Sequence, residues 1–240
     1  MNARSWNPLG WSLLVGLLGS FGPSLAIGAP VAPTSYDMLN GVSPGSNTRH
    51  YWDRKYNGSG NTTQDAAPLT GGLGDLTDGI VASGKWSVVE LIDDNPGTLE
   101  PTDGTGPYVG WRREGLSPPE RNVPNPKITF RFANQIRFDT VRVHYDNDSD
   151  VFSPATIGVK VGSASSLFPI DSGLPGPRWA DLDVSSLNMT GDALELTLNH
   201  RGVWVHISEV SFAGSVVPEP AACVLAGLAS LAWSLRRRRS

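Results

Sequence analysis

The chain has 240 residues, a net charge of −4, 27 glycines, 19 prolines and a single cysteine. With Arg4, Arg236–Arg239 and Glu219 set aside as parts of the two ends, 14 basic residues stand against 22 acidic ones, a net charge of −8. This negative charge on the body of the chain, the part between the two ends, argues against nucleic acid and anionic lipid as partners. Because the one cysteine, Cys223, lies near the C-terminus, the body depends on core packing or a metal rather than on disulfides.

The first segment, residues 1–28, has the layout of a secretory signal peptide. Arg4 supplies a positive charge, residues 9–18 form an apolar run, and small residues follow at Ala26 and Gly28. Segments of this kind direct export and are removed from the mature protein. A retained N-terminal membrane anchor is the alternative interpretation.

The next region, residues 30–70, is rich in Gly, Ser, Asn and Thr around positions 57–63. It contains one predicted strand, near Tyr36–Leu39. We expect the rest of this region to pack over the main domain as a loop, because turn residues outnumber apolar ones.

The main domain, residues 70–215, consists of short runs rich in β-branched and aromatic residues, separated by Pro, Gly, Asn and Asp. Polar and apolar residues alternate in several runs, Ile128–Phe132 and Leu194–Leu198 among them. A period of two with one polar face predicts an all-β protein, specifically an antiparallel β-sandwich. The predicted strands are Trp86–Leu91, Tyr108–Trp111, Lys127–Phe132, Thr140–Tyr145, Thr156–Val161, Ala193–Asn199 and Val203–Phe212.

The loop before the first of these strands carries two carboxylates, Asp75 and Asp78, with the Ser83 hydroxyl a few residues on. Glycines within the loop permit tight curvature and a close approach of oxygen atoms. Hard oxygen ligands on a curved loop are what Ca²⁺ requires. The alternative is a capped turn, in which Asp78 accepts hydrogen bonds from its own backbone amides.

A second acidic stretch, Asp146–Asp150, begins like an EF-hand loop. It has no Gly at the sixth position and no Glu at the twelfth, as an EF-hand needs. We therefore predict a solvated loop between two strands.

The order of these features resembles a discoidin-type, galactose-binding-like jelly roll. The features are Leu76–Gly79, Trp86, Tyr108–Trp111, Ile128–Phe132, Val141–Tyr145, Ala193–Leu198 and Val203–Phe212. The resemblance implies a jelly-roll β-sandwich with a structural Ca²⁺ between the Asp78 loop and Glu209 of the final strand. Asp78 and Glu209 match the pattern directly, with Ser83 and Asp75 as further candidate ligands. Ile80 departs from it, because many relatives carry a carboxylate there.

A binding site in such a sandwich is expected on the loops at one end. Tyr108, Trp111, Tyr145 and Trp179 are aromatic residues that could stack on a sugar ring, and Arg112 could hydrogen-bond to its hydroxyls. Trp111 also lies within a predicted strand, as do Trp86 and Trp204, and the strand pattern favours a core position for these three.

Signatures of enzymes are missing from the sequence. It contains no Gly-x-Ser-x-Gly, His-Glu-x-x-His or phosphate-binding loop, and its four histidines do not show metal-ligand spacing. The sequence therefore predicts a non-catalytic protein. A glycan-cleaving pair of carboxylates stays open, since its members would meet only in the folded chain.

The last segment, residues 217–240, begins with Pro218-Glu219-Pro220 and continues through an uncharged stretch, residues 221–235. An unbroken basic block follows, made of Arg236, Arg237, Arg238 and Arg239. As a helix the stretch would rise about 22 Å, and it could cross a ~30 Å hydrocarbon core by local thinning, with the arginines on the cytoplasmic side.

Motif, spacing and position together resemble the PEP-CTERM sorting signal of exported bacterial proteins. The resemblance implies that an exosortase processes the chain after a transient stay in the inner membrane, with delivery to the cell surface or extracellular matrix. We therefore expect an exported, non-catalytic β-sandwich module associated with exopolysaccharide. A purely structural matrix protein without a specific ligand is the main alternative, and a glycan-cleaving enzyme is the third.

Overall fold

Ten β-strands, one helix and one 3-10 turn form the part of the chain that the structure describes. The structure is a computed structural model, and it describes residues 28–43, 50–90, 106–113, 115–117 and 122–218. The strands are β1 (Ala29–Val31), β2 (Ser35–Leu39), β3 (Pro68–Gly72), β4 (Val109–Arg112), β5 (Lys127–Tyr145), β6 (Thr156–Val161), β7 (Ala164–Pro169), β8 (Arg178–Asp183), β9 (Thr190–Asn199) and β10 (Trp204–Val216). The helix α1 is Trp86–Val89, and the 3-10 turn is Ser185–Leu187.

Strand β5 belongs to both layers of the fold. Its first half pairs with β2 and β9, and its second half pairs mainly with β8 and β10. The register with β9 shifts between Arg131 and Ile136, and residues 133–135 at this corner are exposed. The first sheet therefore has the order β7-β6-β9-β5-β2-β3. The second has the order β8-β5-β10, with β1 and β4 on the far side of β10.

Alternation along β5 explains how the two sheets pack together. Ile128, Phe130 and Phe132 are buried, whereas Lys127, just before them, and Arg131, between the two phenylalanines, are exposed. The rings of Phe130 and Phe212, from the two sheets, have centroids 4.8 Å apart. Burying such a side chain is worth roughly 1.5–3 kcal/mol. The inner faces of the two sheets thus form one aromatic core.

The predicted antiparallel β-sandwich is confirmed, and several strands lie where the sequence predicts them. Strand β6 coincides with the predicted Thr156–Val161, and β2 with the strand near Tyr36–Leu39. The predicted Lys127–Phe132 and Thr140–Tyr145 are the two ends of the single strand β5. Strands β1 and β3 also come from the N-terminal region, for which the sequence predicts only β2.

The prediction of a strand over Trp86–Leu91 is wrong, because Trp86–Val89 is the helix α1. The Trp86 amide donates to Asp146 Oδ2 at 2.8 Å, and its indole donates to the Asp148 carbonyl at 3.1 Å. These bonds tie the segment to the loop that follows β5. The predicted loop over Asp146–Asp150 does lie between two strands and is exposed at Ser149 and Asp150, but Asp146 itself is fully buried, so the prediction that the stretch is solvated is wrong for that residue.

Candidate functional site

The loop after β3 and the final strand β10 meet as the sequence predicts. The Gly79 amide donates to Glu209 Oε2 at 3.0 Å, across 130 residues of chain. The Val210 amide donates to the Leu76 carbonyl at 2.8 Å. Asp78 and Glu209 therefore lie in one region, held by backbone hydrogen bonds.

Lys55 lies between the two carboxylates of this loop. Its ammonium is 3.0 Å from Asp75 Oδ1 and 3.2 Å from Asp78 Oδ2. The other oxygen of Asp78 accepts the Ile80 amide at 2.8 Å. Ser83 is exposed. Asp78 is thus bound by an amine and by a backbone N–H group, whereas the contact recorded for the Asp75 carboxylate is its ion pair with Lys55.

Burial dominates the electrostatics of these groups. It raises the pKa of Asp75 to about 7, helped by the nearby Asp53 carboxylate and opposed by Lys55. Burial likewise raises the pKa of Glu209 to about 8, against the hydrogen bond from Gly79. Burial lowers the pKa of Lys55, but its pairing with Asp75 and Asp78 outweighs this and the net shift is upward.

This arrangement does not fit a calcium ion. Calcium needs six to eight oxygen ligands, whereas here backbone N–H groups point at Asp78 and Glu209 and an ammonium lies between Asp75 and Asp78. Across the described ranges, no cluster of three or more His, Cys, Asp or Glu could hold a metal. The capped turn at Asp78, the alternative interpretation, is the arrangement found. Calcium binding by Asp75, Asp78, Ser83 and Glu209 thus stays an untested prediction, and the contacts of these residues do not favour it.

The predicted sugar-stacking aromatics lie in the core. Tyr108, Trp111 and Tyr145 are 1%, 0% and 3% exposed. The Trp111 indole donates to the Leu39 carbonyl at 2.9 Å, and the Tyr108 hydroxyl to the Gly84 carbonyl at 2.9 Å. Their rings offer no face to a ligand in this structure, so the prediction that they stack on a sugar is corrected. Trp111 lies in β4 and Tyr145 at the end of β5, where residues pointing to both faces of the sheet are buried.

Arg112, the predicted hydroxyl-binding residue, is partly buried at the end of β4. Its Nη2 donates to the Ser117 carbonyl at 2.7 Å. This bond ties the guanidinium to the following loop, and no predicted aromatic offers a ring face beside it.

A groove lies on the outer face of the first sheet, where the sequence predicts no site. Its volume is about 450 Å³, and Gly158 in β6 forms its floor. The cross-strand partners of Gly158 are Leu167 on one side and Thr197 on the other. Further groups along the groove are Lys160, Ser165, Ser166, Glu195 and Asn199.

Two observations define the chemistry of this groove. Leu167 is 59% exposed, an apolar side chain on an otherwise polar face. Asn199 donates to the Thr156 hydroxyl at 2.7 Å, and Glu195 accepts from Lys127 at 3.4 Å, so both side chains are oriented. The signal in the sequence is Gly158 itself, a residue without a side chain on the polar face of a β-branched strand.

Trp179, the fourth predicted aromatic, is the one that keeps partial exposure. It lies on β8 beside its cross-strand partner His144, with ring centroids 5.1 Å apart. The Arg142 guanidinium lies 4.5 Å from the indole centroid, and its Nε donates to Asp181 Oδ1 at 2.5 Å. An aromatic ring, a cation and a carboxylate thus meet on the outer face of the second sheet.

The two predicted targeting segments fall largely outside the described residues. Only Gly28 of the predicted signal peptide and residues 217 and 218 of the predicted tail are included. Glu219, Pro220, the predicted helix 221–235 and the four arginines lie beyond them. Within the described part of the chain, no helix has the length and apolar character needed to span a bilayer.

Comparison with known proteins gives one family match. The model of the "Discoidin domain-containing receptor 1/2, DS-like domain" family matches residues 33–214. No curated protein matches the chain.

Several solved structures are similar in fold at low sequence identity. One is the C-terminal domain of a chitobiase from Bacteroides fragilis, at 13% identity and TM-score 0.37, covering 79% of this chain and 99% of that chain. Another is a family 32 CBM from Clostridium perfringens in complex with galactose, at 8% identity and TM-score 0.31, covering 51% and 81%. A third is a CBM32 module from the same organism in complex with GalNAc-β-1,3-galactose, at 9% identity and TM-score 0.31, covering 37% and 66%.

Proposed function

The chain belongs to the family of discoidin domain-containing receptor 1/2 DS-like domains, and we propose that it is a non-catalytic module that binds neutral glycans outside the cell. The groove over Gly158 is the observation that carries this proposal. Its volume, about 450 Å³, lies within the usual range for small-molecule sites, roughly 300–1,000 Å³.

The lining of the groove suits a sugar better than a charged or apolar ligand. Hydroxyl, amide and carboxylate groups from Ser165, Thr197, Asn199 and Glu195 can exchange hydrogen bonds with sugar hydroxyls. Leu167 can pack against the C–H face of a ring. Lys160 and Glu195 carry opposite charges, so the groove has no strong preference for an ion of either sign.

Filling the groove tests the proposal directly. A Cβ on Gly158 would meet Thr197 at 3.5 Å, an ordinary contact, so Gly158→Val should fold while its methyl groups occupy the floor. Ala193→Val is the matched control, because Ala193 lies on the same face of β9 outside the groove. Retardation in gels containing neutral polysaccharides, galactan among them, measures binding. We expect retardation of wild type and Ala193→Val, and its loss in Gly158→Val.

Other outcomes would contradict the proposal in distinct ways. If Gly158→Val is retarded as strongly as the wild type, the glycan binds elsewhere. Loss of retardation in Trp179→Ala would then favour the surface formed by Trp179 and Arg142. No retardation of the wild type across the panel would favour the purely structural matrix protein. Turnover of a polysaccharide, lost on replacing one carboxylate, would favour a glycan-cleaving enzyme.

We further propose that the protein is exported and sorted by its two ends, with an exosortase and the inner membrane as transient partners and exopolysaccharide as the final one. The support is the sequence of residues 1–28 and 217–240. Deleting Arg236–Arg239 should leave unprocessed precursor in the membrane fraction, because the basic block fixes the orientation of the helix. Replacing the four arginines with lysines keeps the charge and separates an electrostatic role from a specific one. Normal processing of the deletion variant would contradict the sorting signal.

A further inference from the structure

Three carboxyl groups, those of Asp53, Asp75 and Asp78, form an acidic layer that reaches from the core to the surface at the loop after β3. Asp75 is 1% exposed and Asp78 has a side chain 21% exposed. Behind them lies Asp53, fully buried, which accepts hydrogen bonds from the Tyr36 hydroxyl and from the Asp75 amide at 3.0 Å. Where these neighbouring carboxyl groups are ionised, a nearby positive charge stabilises them.

The backbone of the loop is fitted closely around this acidic layer. Gly74 lies against the Asp53 carboxylate, and a Cβ there would collide with it. The Thr77 amide donates to the Gly74 carbonyl at 3.0 Å, which closes the turn before Asp78. The loop is thus a built structure whose carboxylates have fixed positions.

The compensating charge comes from the segment that supplies Asp53. Lys55, two residues later, extends to Asp75 and Asp78 and ends 3.0 and 3.2 Å from their oxygens. Its side chain is 43% exposed, so the stem reaches in from the surface and only its end contacts the loop. A single amine thereby bridges one buried and one partly exposed carboxylate.

We infer that the ammonium of Lys55 takes the place of a divalent cation in this loop, so that the domain closes the contact between the loop and β10 without metal. The inference goes beyond the proposed function and does not depend on it. A lysine offers three donors and one positive charge and needs no coordination shell. The loop would then be indifferent to calcium and would depend instead on one side chain.

The test is thermal unfolding of the full-length chain at pH 8, in millimolar Ca²⁺ and in EDTA. We expect the same Tm for the wild type in both. Lys55→Met should lower Tm by several degrees, because it leaves the buried Asp75 charge uncompensated. Lys55→Arg, which keeps the charge, should stay near the wild type.

Lys85→Met is the matched control. Lys85 is also 43% exposed and lies 2.9 Å from a carboxylate, but its partner Asp148 has a side chain 15% exposed rather than 1%. We expect a smaller fall in Tm for this variant. A Ca²⁺-dependent rise in Tm of Lys55→Met would support the inference, since the metal would then enter the vacated place. Two results would overturn it: a Ca²⁺-dependent rise in the wild type that is lost in Asp78→Asn, or a Lys55→Met variant as stable as Lys85→Met.

Discussion

At the scale of single residues, His206 combines complete burial with the lack of a hydrogen-bond partner. Its ring lies among Tyr51, Trp86, Tyr108 and Trp204, with centroids 4.3–6.0 Å away. Neither ring nitrogen has a hydrogen-bond partner in the described part of the chain. Burial lowers the pKa of His206 to about 3, from an ordinary value of 6.5. The ring is therefore neutral in the folded protein at any pH above that value.

This burial predicts a specific loss of stability in acid. Between pH 6.5 and pH 3 the unfolded chain binds a proton at His206 that the folded chain does not, so stability falls as pH falls. One such group contributes about 1.4 kcal/mol per pH unit. His206→Leu should remove that contribution, which urea unfolding at several pH values measures. An unchanged slope would mean that His206 is protonated in the fold.

The buried tryptophan of β4 gives a second prediction at this scale. Trp111 is fully buried, so Trp111→Ala should cost about 3–5 kcal/mol of unfolding free energy. Any loss of glycan binding in this variant would then follow from its lower stability. Gly158→Val, in contrast, should lose glycan binding and keep the urea midpoint of the wild type. Urea midpoints of both variants distinguish the two cases, and a stable Trp111→Ala variant would contradict the core assignment.

At the scale of elements, the helix α1 depends on residues about sixty positions away. Asp146 Oδ2 accepts the Trp86 amide, and Asp148 Oδ2 accepts the Ser87 hydroxyl at 3.1 Å. Asp146→Ala should leave a partly buried amide without its acceptor and cost about 1–3 kcal/mol. We expect faster hydrogen exchange at Trp86 and little change in β6. Protection unchanged at Trp86 would contradict the role of Asp146.

The contrast between α1 and β6 shows where local sequence is enough to predict secondary structure and where it is not. In β6, Ile157, Val159 and Val161 are buried in strict alternation, and the predicted bounds agree with the structure. The run at Trp86 has similar composition, but its state is set by acceptors in a distant loop. Local propensity is a weak guide where such tertiary contacts compete with it.

At the scale of the whole molecule, the sandwich could be predicted and its sites could not. The alternation along β5 shows which of its faces is buried, and this suffices to predict packed sheets, although β10 is buried on both faces over residues 204–210. The meeting of the Asp78 loop with Glu209 follows from the family resemblance. Lys55 carries no signal in the sequence, because it precedes Asp75 by twenty residues and meets the loop only in the folded chain. The groove likewise needs the pairing of β6 with β7 and β9, which places Leu167 and Thr197 beside Gly158.

The buried carboxyl groups predict how the stability of the whole molecule varies with pH. Burial raises the pKa of Asp75 to about 7 and of Glu209 to about 8, and raises those of Asp53 and Asp146 as well. In the unfolded chain these groups ionise near 3.8 for Asp and 4.5 for Glu. Above those values the folded chain binds more protons than the unfolded chain, so rising pH lowers stability.

Below pH 6.5 the histidines oppose this trend, since His144 and His206 have pKa values lowered to about 4 and about 3. Above pH 6.5 their opposition ends, whereas Asp75 and Glu209 still titrate in the folded chain. We therefore expect the free energy of unfolding to fall between pH 6.5 and pH 8, as urea titrations across that range would measure. Glu209→Gln removes one of the protons while keeping an oxygen that can accept the Gly79 amide, so it should reduce the slope by about 1.4 kcal/mol per pH unit. Stability that is constant or rises over this range would contradict the burial of these carboxyl groups in neutral form.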